Sequence, residues 1–152
     1  MSWTPRRAAL LLALAGCVHL RPSRSPVVYS PGVVEEPVSA VIAAALEADQ
    51  RLEPADSLWD PDATVVANGE RRTAPPRFAG VEPGGEVAIS QSRLEVRQSL
   101  VWVYLEYRWL SVTSGVAREG KATVLLTPRS VGSGWRIVHL HSSTPGGQGG
   151  SE

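Results

Sequence analysis

Apolar positions recur with two periods along this chain, and the change from one to the other divides it. From Val38 onward, Val41, Ile42, Ala45, Leu46 and Leu52 return at spacings of three and four. Glu47, Asp49, Gln50, Arg51 and Glu53 fall between them on the face expected to meet water. This predicts an amphipathic helix of roughly 16 residues. Pro37 suits its first position, Glu35 and Glu36 suit the positive helix end, and Pro54 stops it. Ala55 to Leu58 can add one further turn. After that the period drops to two. Asp60-Pro61-Asp62 reads as a turn, Thr64 to Ala67 as strand, and Asn68-Gly69 as a two-residue hairpin. Residues 73–86, rich in Pro and Gly, are predicted to be irregular.

Four stretches then read as strands: Val87 to Leu100, Val101 to Val112, Ala117 to Thr127 with Pro128 behind it, and Gly134 to Ser143. In the last, strict alternation groups His139 and His141 with Trp135 and Ile137 on one face. Val138, Leu140 and Ser142 take the other. A strand apolar on both faces is covered on both, so this one is predicted to be central in its sheet. One helix followed by long antiparallel strands is an α+β pattern, the helix lying across one face of a curved sheet.

The amino terminus follows a different logic. Arg6 and Arg7 precede an apolar run, Ala8 to Ala15, which is too short for the roughly 20 residues that span a bilayer. It suits a secretory signal peptide. Leu14-Ala15-Gly16-Cys17 resembles a bacterial lipobox, in which the cysteine receives a diacylglycerol and becomes the first mature residue. Cys17 is the only cysteine, so the mature domain has no internal disulfide. The expected organisation is a signal peptide over residues 1–16 and a lipidated cysteine with a Pro/Ser-rich tether over 17–36. A single domain over 37–145 and a disordered Gly-rich tail over 146–152 complete it. Val18 rather than an acidic residue follows Cys17, which by resemblance to enterobacterial sorting implies the outer membrane, facing the periplasm.

Charge narrows the partners. The whole chain carries 15 basic and 15 acidic side chains. Loss of residues 1–16 removes Arg6 and Arg7 and leaves a net charge of −2 on the mature chain. Nucleic acid normally needs a basic face, and the arginines here are scattered, so no nucleic-acid partner is expected. Phosphate loops, nucleophile elbows and paired Cys/His motifs are missing from the sequence, and no cofactor is implied.

The order of a helix, then Leu58-Trp59-Asp60-Pro61-Asp62-Ala63-Thr64-Val65-Val66, then Gly120-Lys121-Ala122-Thr123-Val124-Leu125-Leu126-Thr127-Pro128-Arg129 and Gly134-Trp135-Arg136-Ile137-Val138-His139-Leu140-His141-Ser142-Ser143 resembles the nuclear-transport-factor-2-like superfamily, in its SnoaL-like and ketosteroid-isomerase-like branch. The resemblance implies a cone: a strongly bent antiparallel sheet wrapped around helices, a pocket between them, and dimerisation through the outer sheet face. The third helix common in the family is not expected here, because residues 73–86 carry too many prolines and glycines.

By the same resemblance, the base carboxylate of a ketosteroid isomerase falls on Val66 or Ala67. Neither can take a proton, so that chemistry is not expected. Resemblance and alternation together give a pocket lined by Trp59, Tyr104, Glu106, Thr123, Leu140 and Ser142. Glu106 is a candidate pocket acid, with pairing to Arg108 or to a cross-strand partner as the alternative. His139 and His141 are close enough to share a zinc ion, but a third ligand is required, and nothing in the spacing singles out Glu106 or Asp62 as that donor, so no metal is assigned. Three readings follow. The first is a lipid-anchored protein binding a small apolar ligand or a protein partner without catalysis. The second is a hydrolase, dehydratase or isomerase using Glu106, His139 or His141 as base. The third is a dimerisation module with a vestigial pocket.

Overall fold

The structure is a computed structural model and describes residues 31–146. Residues 1–30, on which the expected signal peptide, Cys17 and most of the tether fall, and residues 147–152 of the expected tail lie outside them. Helix α1 spans Pro31–Arg51, and a short 3-10 turn, Asp56–Leu58, follows. The strands are β1 (Trp59–Ala67), β2 (Glu70–Arg71), β3 (Val87–Arg97), β4 (Leu100–Leu110), β5 (Ala117–Pro128) and β6 (Trp135–Ser143). They form one sheet in the order β2-β1-β6-β5-β4-β3. The last strand is therefore interior, as its two apolar faces predict.

Two boundaries move for physical reasons. The helix begins at Pro31, so residues 31–36, read as the end of the tether, are its first turns. Val34 explains this: one turn ahead of Val38, it is buried on the same stripe as Val38, Ile42, Ala45 and Leu46. Pro37 is thus inside the helix. The carbonyl it leaves without a partner belongs to Val33, on the solvent side at 72% exposure. The helix ends with Leu52 in the left-handed region (φ 54°), Glu53 N–H donating to the Ala48 carbonyl at 2.9 Å. At the other boundary, Gln98 and Ser99 leave the predicted strand and form a tight turn between β3 and β4, with Gln98 at φ 55°.

The sheet is mixed rather than purely antiparallel, because β1 runs parallel to β6. Its other neighbouring pairs are antiparallel. Asn68 (φ 51°) and Gly69 (φ 82°) both take positive φ, the hairpin geometry their pairing predicts. The Asp60-Pro61-Asp62 turn is a kink within β1: Asp62 N–H donates to the Asp60 carboxylate at 3.0 Å. The register jumps there, from Trp59 opposite Ile137 to Thr64 opposite His139.

A second irregularity decides which side chains face the helix. Leu126 pairs with Ile137 and Leu125 with His139, so Val138 is an extra residue, a β-bulge. Strict alternation fails at that point. Trp135 and Ile137 face inward, and so do Leu140 and Ser142 beyond the bulge, whereas His139 and His141 face outward. The burial pattern agrees, with Trp135, Ile137, Leu140 and Ser142 all buried. The inner face, completed by Val101, Val103, Leu105, Tyr107, Trp109, Val124 and Leu126, packs under α1 to form the core.

Candidate functional site

The concavity between helix and sheet is filled at its centre by the irregular segment. Phe78 and Ala79 are fully buried, and the Phe78 ring meets Tyr107 edge-on at 5.7 Å. Such backbone has no ladder of its own, so its polar groups must find partners in the core. Three side chains supply them. Asp49 of α1 accepts the N–H groups of Arg77 and Phe78, each at 2.7 Å. Ser142 Oγ of β6 accepts the Ala79 N–H at 2.9 Å, and Tyr107 of β4 donates its hydroxyl to the Ala79 carbonyl at 2.7 Å.

Asp49 was expected to face water, yet it is 1% exposed. The signal was present in its spacing, since it falls three and seven residues after Leu46 and Ile42 on the buried stripe. Burial pushes its carboxyl up to about 6, against the pull of the two N–H donors and the charges of Arg77 and Arg72. Burial likewise pushes the Tyr107 hydroxyl up. Gly120 lies beneath that ring, where any Cβ would run into it.

Open space remains at the mouth of the concavity, between the kinked start of β1 and residues 71–77. This cleft has a volume of about 510 Å³. Ala63, Val65 and Pro61 form its apolar wall. Arg71, Arg72 and Arg77 bring positive charge to it, and Asp56, Asp60 and Asp62 bring negative charge. The guanidinium of Arg77 lies over the Trp59 ring at 4.8 Å from its centroid, and its Nη2 meets the Asp56 carboxylate at 3.4 Å. Arg72 donates to the Pro76 carbonyl at 3.1 Å, which ties the 71–77 segment to itself. Sequence reasoning missed the arginines of this cleft. They belong to a stretch without periodicity, and only the fold brings them beside Trp59.

The six residues predicted to share a pocket are split between the two faces of the sheet. Trp59, Leu140 and Ser142 are inside and buried, with Trp59 on the cleft. Tyr104, Glu106 and Thr123 are on the outer face, where Tyr104 pairs with Thr123 and Thr123 with His141. Glu106 is held there by Lys121 directly across the strand at 3.1 Å and by the Tyr104 hydroxyl at 3.1 Å. Hydrogen bonds from Lys121 and then Tyr104 hold its carboxyl below the usual range, the reverse of a pocket acid. His139 and His141 share that outer face. Among the described residues no group of three or more His, Cys, Asp or Glu side chains is placed to hold a metal ion.

No protein-family model and no curated protein matches the sequence. Solved structures do match the fold. An NTF2-like superfamily protein from Salmonella enterica serovar Typhimurium superposes with a TM-score of 0.60 at 16% identity, covering 81% of this chain and 99% of that one. This chain has the NTF2-like fold. A Nostoc punctiforme protein of cystatin-like fold aligns at 0.59 and 6% identity, over 74% of this chain and 91% of its own. The association domain of C. elegans CaMKII aligns at 0.54 and 13% identity, over 74% and 97%.

In this NTF2-like cone, residues 73–86 form no helix, as their prolines and glycines predict, and Phe78 takes up the space beneath the sheet. Val66 pairs with His141 and so faces outward. Ala67 is fully buried on the inner face, with a methyl group where the family resemblance puts a carboxylate. The outer face carries a shallow groove of about 600 Å³ beside Trp102 and Tyr104, which are 47% and 37% exposed. Among the described residues no helix is long and apolar enough to cross a membrane.

Proposed function

We infer that this chain is an exported lipoprotein, cleaved ahead of Cys17 and held by acyl chains on that residue in the outer membrane, facing the periplasm. The residues between Cys17 and α1 tether an NTF2-like domain that binds a small ligand without transforming it. The observation that carries the binding reading is the cleft of about 510 Å³, lined by a buried tryptophan, aliphatic side chains and both signs of charge. Its volume is within the range of small-molecule sites. Binding rather than turnover is supported by the alanine at position 67 and by the outward, ion-paired placement of Glu106.

The test uses the full chain in a non-ionic detergent, labelled with 5-fluorotryptophan, and a panel of small apolar compounds. Binders are expected to shift the Trp59 resonance saturably, and Ala63→Trp, which fills the cleft, should abolish the shift. A panel whose binders move only Trp102 would transfer the site to the outer face and overturn the reading.

A second reading concerns that outer face. Trp102 and Tyr104, exposed on one strand two residues apart, support a homodimer formed through it.

A further inference from the structure

The chemistry of the mouth cleft is more specific than its shape. Arg77 is 7% exposed, lines the cleft, and leaves Nη1 without a hydrogen-bond partner among the described residues, although its Nη2 is paired with Asp56. The indole Nε1 of Trp59, under the same guanidinium, is also buried and without an acceptor. Buried donors are nearly always satisfied, and a guanidinium N–H most of all, because its charge raises the cost of leaving it bare. Both donors are enclosed beside the cleft, and Arg77, which lines it, reaches an acceptor brought by a ligand when its side chain turns toward the open space.

We propose that this cleft holds a small organic monocarboxylate, its carboxylate taken by Arg77 and its apolar body laid against Ala63 and Val65. The inference rests on the binding reading above and specifies its ligand. A guanidinium fork matches the two oxygens of a carboxylate, and Nη1, which has no partner to give up, forms one arm of that contact once the side chain turns toward the cleft. Arg71 and Arg72 at the cleft add attraction for an anion. Asp56, Asp60 and Asp62, also at the cleft, set an upper limit on its charge. They disfavour a dianionic phosphate ester, whose second charge would face them, more than a singly charged carboxylate. The aliphatic wall and the volume suit a body of several carbons rather than a bare inorganic anion.

The experiment compares three matched series by the fluorine signal of Trp59 in the full chain. The series are benzoate, phenylacetate and hexanoate, then their primary amides, then phenyl phosphate and hexyl phosphate. Carboxylates should bind at least tenfold more tightly than their amides and than the phosphate esters, and the preference should shrink as salt is raised. Arg77→Lys keeps the charge but loses the fork, and should weaken carboxylates at least tenfold while leaving amides unchanged. The signals of Trp109 and Trp135 report whether that variant is folded, and the wild-type comparison stands without it. Amides binding as tightly as carboxylates would leave a ligand site but overturn the anion. Phosphate esters binding more tightly would overturn the carboxylate. No shift of Trp59 by any series would overturn this inference and the binding reading together.

Discussion

Asp49 of α1 accepts the Phe78 N–H at 2.7 Å, and the same oxygen accepts the Arg77 N–H at 2.7 Å. One carboxylate on the helix thus fixes the irregular segment that fills the concavity and carries Arg77 to its mouth. Removing it leaves two buried N–H groups without acceptors. Asp49→Ala is expected to lose about 2–4 kcal/mol, the range for buried donors deprived of a charged acceptor. Asn keeps an oxygen at the same place and removes the cost of burying a charge, so Asp49→Asn should match or exceed the wild type at pH 7. Urea denaturation of the three proteins at pH 7 checks both, and an alanine variant as stable as the wild type would deny Asp49 its role.

The same group makes stability depend on pH with a definite sign. Burial raises the folded-state pKa of Asp49 to about 6 from an ordinary value of 3.8. The native protein therefore takes up its proton before the unfolded chain does. This contribution favours the folded state increasingly as pH falls from about 7 towards 4, by up to about 3 kcal/mol, and is lost again as pH rises through 6. Asp49→Asn removes it. The difference in unfolding free energy, wild type minus Asn variant, should grow more positive on acidification across that window. A difference that is constant, or that falls, contradicts the buried titration.

Gly120 and Tyr107 make the second test of the filled concavity. The glycine lies beneath the Tyr107 ring, which stacks on Trp109 at 5.7 Å. Gly120→Ala should cost about 1–3 kcal/mol by overpacking. Tyr107→Phe should cost a comparable amount, because the buried Ala79 carbonyl loses its donor. If Gly120→Ala leaves the thermal midpoint unchanged, the region beneath the sheet is looser than the packing shows.

Much of this was legible in the sequence, for reasons that can be traced residue by residue. The strands of β4, β5 and β6 announce themselves by β-branched and aromatic content, and Asn68-Gly69 by its need for positive φ. These are local signals. What was hidden depends on partners distant in the chain. Val138 is a bulge only relative to Leu125 and Leu126, and that one residue turns His139 and His141 from the face of Trp135 to the opposite one. The parallel pairing of β1 with β6 leaves no trace in either strand alone. Asp49 reads as a solvent residue by type and as a core residue by spacing. Type was the weaker guide, because the N–H groups that need it come from a segment with no pattern.

The outward placement of Glu106 and both histidines takes these three groups away from the cleft. Glu106→Gln, and the pair His139→Ala with His141→Ala, should leave ligand binding at Trp59 unchanged within twofold. Each lies across the sheet from the cleft, on the side of Tyr104 and Lys121. Titrations followed by the Trp59 fluorine signal measure this directly. A tenfold loss in either variant would return one of these groups to the site.

The same outer face gives the dimer its test. Trp102 pairs with Leu125 across the strand, and Leu125 with His139, so a substitution at Trp102 changes the middle of that face and leaves the core untouched. Trp102 is 47% exposed in the single chain, which makes a charge there tolerable to a monomer and costly to a packed interface. Trp102→Glu is expected to keep its fold and ligand binding while converting a dimer to a monomer in light scattering. A dimer that survives the charge is held by another surface, and a wild type already monomeric at high concentration removes the dimer altogether.

Lipidation is tested apart from the fold, because Cys17 lies outside the described residues. The lipobox-like Leu14-Ala15-Gly16-Cys17 makes the Cys17 thiol the proposed acceptor of the first acyl group, and the sequence has no second cysteine to replace it. Two or three acyl chains anchor far more firmly than one, so the wild type should partition wholly with membranes. Cys17→Ser should accumulate as an uncleaved precursor that takes up no labelled fatty acid. The NTF2-like domain itself should be unaffected, its denaturation midpoint matching the wild type in detergent. Labelled fatty acid on the serine variant would place the anchor elsewhere and remove the outer-membrane assignment with it.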